Sequence, residues 1–166
     1  MKKLYFTTMI AVSLLFCSNG IQEQTTQTKL DQVELMKQLL GNWQANVGID
    51  TILLFEYKQF GQAYLANASY IIKGQKTLSW INNFGFDVKE GKFKIYSIFL
   101  DGSYQTFICS FITEKEISSD IVQDFEPETA SAKVHIVFVS SNEYIKSLIN
   151  KDGKKIWEYK FVKIKE

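Results

Sequence analysis

The chain has 166 residues and a formal net charge of +1, from 19 basic and 18 acidic side chains, which excludes the strongly basic surface that nucleic-acid binding needs. A chain of this length suits one domain that buries a core without disulfide or metal staples. Aromatics make up 14% of residues (13 Phe and 8 Tyr among them), there is a single Pro, and all 19 Lys/Arg positions are Lys, so no planar guanidinium clamp for phosphate or carboxylate is available.

The N-terminus reads as an export signal. Lys2 and Lys3 precede an apolar run, "LYFTTMIAVSLLF" at 4–16, that is short for a bilayer span. Cys17 follows, and then "SNGIQEQTTQTK". This arrangement resembles a bacterial lipoprotein signal, which implies cleavage before Cys17, a lipid on its thiol and membrane anchoring through that lipid. Such signals carry a small residue before the cysteine, and here it is Phe16. The alternative is ordinary secretion into the periplasm or medium, with cleavage after a site such as Ser18-Asn19-Gly20. Either way the expected parts are a signal peptide at 1–16, Cys17 with a flexible tether at 17–29, and a folded domain at 30–166.

Within the domain, Leu30, Val33, Leu35, Met36, Leu39 and Leu40 recur at three- and four-residue spacing, the apolar face of one short helix that Gly41 stops. Beyond Trp43 the chain reads as strands. Leu53, Phe55 and Tyr57 share a face in 51–60. So do Leu78, Trp80, Phe84, Phe86 and Val88 in 76–88, Phe107, Cys109 and Phe111 in 103–112, and Trp157, Tyr159 and Phe161 in 155–165. Asp101-Gly102 and Asp152-Gly153 predict two-residue hairpins of type I′, with Gly74-Gln75 and Glu90-Gly91 as weaker turn signals. Ile52, Leu54, Ile108 and Ile112 lie on the opposite faces, which suggests that the helix covers part of the sheet's outside. The acidic stretch 114–131 predicts a strand near 117–124 and a loop at Pro127. Residues 141–149 fit either a capped helix or a strand, and the Asp152-Gly153 turn favours a strand because it needs a partner on its N-terminal side. Successive hairpins make a meander: an all-β domain with one short N-terminal helix, antiparallel and up-and-down, closed or nearly closed into a barrel of about eight to ten strands.

A helix, then Gly41-x-Trp43 at the head of the first strand, then such a meander resembles the lipocalin-like proteins of the calycin superfamily. The resemblance implies that Trp43 plugs the closed end of the barrel and packs against the last strand, near Tyr159 or Phe161. In that family an Arg on the last strand usually covers the tryptophan; here Lys160 or Lys163 has to take its place.

No catalytic constellation stands out, and no cofactor is expected. Cys109, in "TFICSFI", reads as a small buried apolar residue, with no second cysteine in the domain to pair with. His135 is the only histidine and has no second ligand for a metal or haem, so it is expected at or near the surface. The carboxylates Glu114, Glu116, Asp120, Asp124, Glu126 and Glu128 form a solvated run. The inward aromatics either fill the barrel, the simpler expectation, or line a cavity. In the second case Phe55, Tyr57, Trp80, Phe84, Phe107, Trp157 and Tyr159 are the candidate ligand contacts, with Asn82 and Asn83 orienting a polar head. The function expected is an exported, lipid-anchored, non-enzymatic protein of the cell envelope that binds a small hydrophobic ligand. The alternative is a structural or interaction module with a filled barrel. The sequence does not set the oligomeric state.

Overall fold

The computed structural model describes residues 30–164; the expected signal peptide, Cys17 and the tether lie outside the described residues. Ten antiparallel strands form one closed barrel: β1 (Gly41–Gly48), β2 (Thr51–Phe60), β3 (Ala63–Ile72), β4 (Gln75–Asp87), β5 (Lys92–Phe99), β6 (Tyr104–Thr113), β7 (Glu116–Val122), β8 (Ala132–Ser140), β9 (Glu143–Asn150) and β10 (Lys155–Ile164). Each strand pairs with its neighbours in sequence, and β1 closes the ring on β10. The all-β meander read from the sequence is therefore the fold. Residues 143–150 are the strand that the following turn requires, and β7 and a 3₁₀ turn at Pro127–Thr129 occupy the acidic stretch.

The closing seam is short. Asn42, Trp43 and Gln44 stand opposite Ile164, Lys163 and Val162, whereas β2 and β3 stay in register from Thr51↔Ile72 to Phe60↔Ala63.

The turns differ from the expected type. Asp101 and Asp152 are not among the positive-φ residues, while Gly102 (φ 82°) and Gly153 (φ 79°) are. The Gly102 amide donates to the Phe99 carbonyl at 3.0 Å and the Phe99 amide donates to the Ser103 carbonyl at 2.9 Å. The Asn150–Lys154 turn repeats this pattern. These are three-residue loops, a type I turn closed by a glycine in the left-handed region. The paired positive φ values that a type I′ turn demands fall on Lys73 (50°) and Gly74 (82°), one position earlier than the Gly74-Gln75 signal.

The helix, α1 (Gln32–Met36), runs into a 3₁₀ turn at Lys37–Leu39. The Asp31 carboxylate caps it by accepting from the Glu34 amide. It closes one end of the barrel and does not cover the outer face, where Ile112 remains 53% exposed. Side chains hold it there. Gln32 accepts from the Phe111 amide at 2.7 Å and donates to the Phe111 carbonyl at 3.1 Å, next to the register shift in β6. Gln38 donates to the Glu114 carbonyl, and the Tyr64 hydroxyl donates to the Val33 carbonyl. Met36 and Leu39 thereby enter the barrel core.

Trp43 is fully buried at this closed end, and its indole N–H donates to the Leu39 carbonyl at 2.7 Å. Its ring partner is Tyr144 of β9, with centroids 4.6 Å apart, and Tyr144 in turn stacks on Phe161 at 4.9 Å. The contact expected with Phe161 thus runs through Tyr144, and Tyr159 sits one inward position further up β10. Lys163 Nζ lies over the indole at 5.1 Å from the ring centroid, so Lys163 occupies the expected cationic position. Gly41 leaves room for it: φ is +105°, and a Cβ there would come within 2.9 Å of Lys163 Cε.

Candidate functional site

Alternation fixes what each strand sends inward. Above the Trp43 layer the inward positions enclose a cavity of about 520 Å³. The filled barrel expected as the simpler outcome is therefore not what forms. All eight candidate contacts, Phe55, Tyr57, Trp80, Asn82, Phe84, Phe107, Trp157 and Tyr159, line this cavity. Leu78 and Val88 do not share their face. β4 carries one extra residue where Ala68↔Trp80 gives way to Ser69↔Leu78, which turns Leu78 outward, and Val88 lies in the turn after β4. Asn83 faces outward, with its amide 3.5 Å from the Tyr96 carbonyl.

Two small residues shape one wall. Ala68 stands between Phe55 and Trp80 in register, and Ala66 between Tyr57 and Asn82. With only a methyl group on β3, the rings of β2 and β4 meet across it: Phe55 and Trp80 pack edge to face at 5.7 Å, and Tyr57 and Phe84 lie at 6.1 Å. On β10, beyond β1 from this wall, Trp157 and Tyr159 stack at 5.2 Å. They lie within the stretch of β10 that has no registered partner on β1.

Polar groups in the cavity are few. Asn82 accepts a hydrogen bond from the buried Ser97 hydroxyl at 2.5 Å, so the Asn82 carbonyl already has a partner. Gln105, Ser119 and Thr51 also reach the lining. Cys109 lines it too, buried as expected, and burial pushes its thiol up to about 12. His135 faces outward, with Nε2 3.6 Å from a Glu116 carboxylate oxygen. Cys109 and His135 thus stand on opposite faces of the wall and cannot act as a nucleophile and base pair.

No family model matches the chain, and a search of curated proteins finds no match.

One lining residue escapes the sequence reading. Lys146, on β9 between Tyr144 and Leu148, points into the barrel and is the only charged side chain of the lining. It has no salt bridge or hydrogen bond among the described residues, where Lys37, Lys76, Lys94, Lys133, Lys155, Lys160 and His135 each have a carboxylate near. Its ammonium sits 4.3 Å from the centroid of the Phe55 ring. Such a contact returns about 0.5–2 kcal/mol, against several kcal/mol for removing an ammonium from water. Lys146 is part-buried, its remaining surface facing the cavity, and this desolvation pulls its pKa down to about 8. One inward position below, the Tyr144 hydroxyl is buried next to that of Tyr57 and makes no hydrogen bond among the described residues. The trace of Lys146 in the sequence is its place on the Tyr144, Lys146, Leu148 face, which becomes visible only once 143–150 is taken as a strand.

Proposed function

We propose that this protein binds a small, largely apolar molecule inside its barrel, and that it works as an exported protein held at the cell envelope by a lipid on Cys17. The observation that carries the binding reading is the cavity of about 520 Å³ above a solid floor. That volume lies within the ~300–1,000 Å³ usual for small-molecule sites, and its walls have the usual mixture of aromatic surface with a few polar groups. Support for export is the charged start, the short apolar run and the cysteine that follows it. Native mass spectrometry of protein purified from its own host tests binding. A co-purifying small molecule is the expected result, and uniformly ligand-free protein would favour a structural module instead. Membrane fractionation tests anchoring. Cys17→Ala should move the protein from the membrane fraction to the soluble one, and wild-type protein already soluble would refute the lipid anchor.

A further inference from the structure

We infer that the bound molecule carries an anionic head group that seats against the Lys146 ammonium just above the barrel floor, with its apolar chain rising between Trp80, Phe107 and Trp157. The inference rests on the cavity-binding reading and adds the ligand's charge and orientation. Three observations meet at this point. Among the described residues the lining holds one cation and no carboxylate, so the cavity carries an uncompensated positive charge. The groups around that charge supply no counter-ion: Tyr159 and Ile136 are its register partners on β10 and β8, Phe55 and Tyr57 face it from β2, Cys109 from β6, Ser119 from β7 and Tyr144 from its own strand. Finally, the charge is placed low along the axis. Lys146 and the Tyr144 hydroxyl lie near the floor, while Val47, Leu53, Phe99, Ile121, Val134 and Leu148 make most of the upper wall, with only the neutral Thr51 and Gln105 among them. An amphipathic anion entering head first satisfies the ammonium with a charge-assisted hydrogen bond and leaves its chain against hydrocarbon. A carboxylate and a phosphate monoester share this chemistry.

The test uses the full chain carrying Cys17→Ala, stripped of lipid and titrated with dodecanoate, dodecyl phosphate or dodecanol. Binding is read from tryptophan fluorescence, since Trp80 and Trp157 line the cavity, and checked by calorimetry. At pH 7 at least one of the two anions should bind about tenfold more tightly than the alcohol, a difference of about 1.4 kcal/mol. The tighter anion identifies the head group. Lys146→Met and Lys146→Gln should each abolish the preference, and Lys146→Arg should keep it. In the wild type the preference should shrink as pH rises through about 8. Equal binding of anions and alcohol, or a preference that survives Lys146→Met, would overturn the anchor and leave the cavity reading standing. No binding of any of the three would overturn both.

Discussion

Below Lys146 the barrel interior is solid, and above it the same kinds of side chain enclose a cavity. The floor receives more than the strands supply. Met36 and Leu39 arrive from the helical segment, and Trp43 lies across the axis against Tyr144, so helix, first strand and last strands fill the cross-section together. The upper part has no such insert, and there Ser97 and Ser119 stand among the aromatics of the lining. Aromatic content therefore does not decide between filling and lining. The volume brought in from outside the sheet decides it.

The sharpest break of this comparison is at the floor. Trp43→Ala should lower stability by about 3–5 kcal/mol, as large core truncations do. The urea midpoint should fall accordingly, while ligand affinity in protein that remains folded should change little. An unchanged midpoint would mean that Trp43 is not a plug.

Lys146→Met comes next, with the opposite sign. A lysine whose pKa is 10.5 when unfolded and about 8 when folded binds its proton less tightly in the native state. Below pH 8 it is charged in both states and the fold bears the whole cost of its partial desolvation. Between pH 8 and 10.5 the unfolded chain holds more protons, so wild-type stability rises with pH. The methionine variant lacks both the cost and the rise. It should be more stable than wild type at pH 7 by about 1–3 kcal/mol, with the gap closing by pH 10.5. Urea titrations of both proteins at neutral and alkaline pH check this, and a less stable methionine variant at pH 7 would sink it.

Trp157→Ala samples the wall. This ring is only half-buried and stacks on Tyr159, so its loss should cost about 1 kcal/mol and should weaken ligand binding, the reverse of the floor result. His135→Asn, on the outer face, should fall within about 0.5 kcal/mol of wild type, because its contact with Glu116 is solvent-screened. A large effect there would mean that the outer surface matters more than its exposure indicates.

The fold was legible because alternation and turn residues are local signals: Phe55, Tyr57, Trp157 and Tyr159 face inward for the reason their spacing gives. The turn type was less so, since Asp-Gly serves both a two-residue loop and a longer one closed by the glycine, and only the hydrogen bonds of Phe99 and Asn150 separate them. The register shift at Ser79 breaks the period-two rule locally, so Leu78 could not be placed from pattern alone. The cavity depends on barrel radius, hence on strand number, which a range of about eight to ten leaves open. Lys146 was hidden for a different reason. Pattern reading sends a lysine on a strand to the solvent side, because unpaired buried ammonium groups are costly. A residue that breaks this rule is invisible to it.

The short seam between β1 and β10 bears on the order of assembly. Every other strand pair joins segments adjacent in sequence, and such hairpins can form early at little cost in chain entropy. Pairing Asn42 with Ile164 must instead bring together the two ends of the described chain. Trp43 and Lys163 belong to that same seam, so the plug and its covering cation come together only when the ring shuts. The step that closes the circle is then also the step that makes the floor. During refolding, amide protection at Trp43 is expected to appear after protection in the β2–β3 hairpin, and pulse-labelled hydrogen exchange showing the reverse order would refute a late closure.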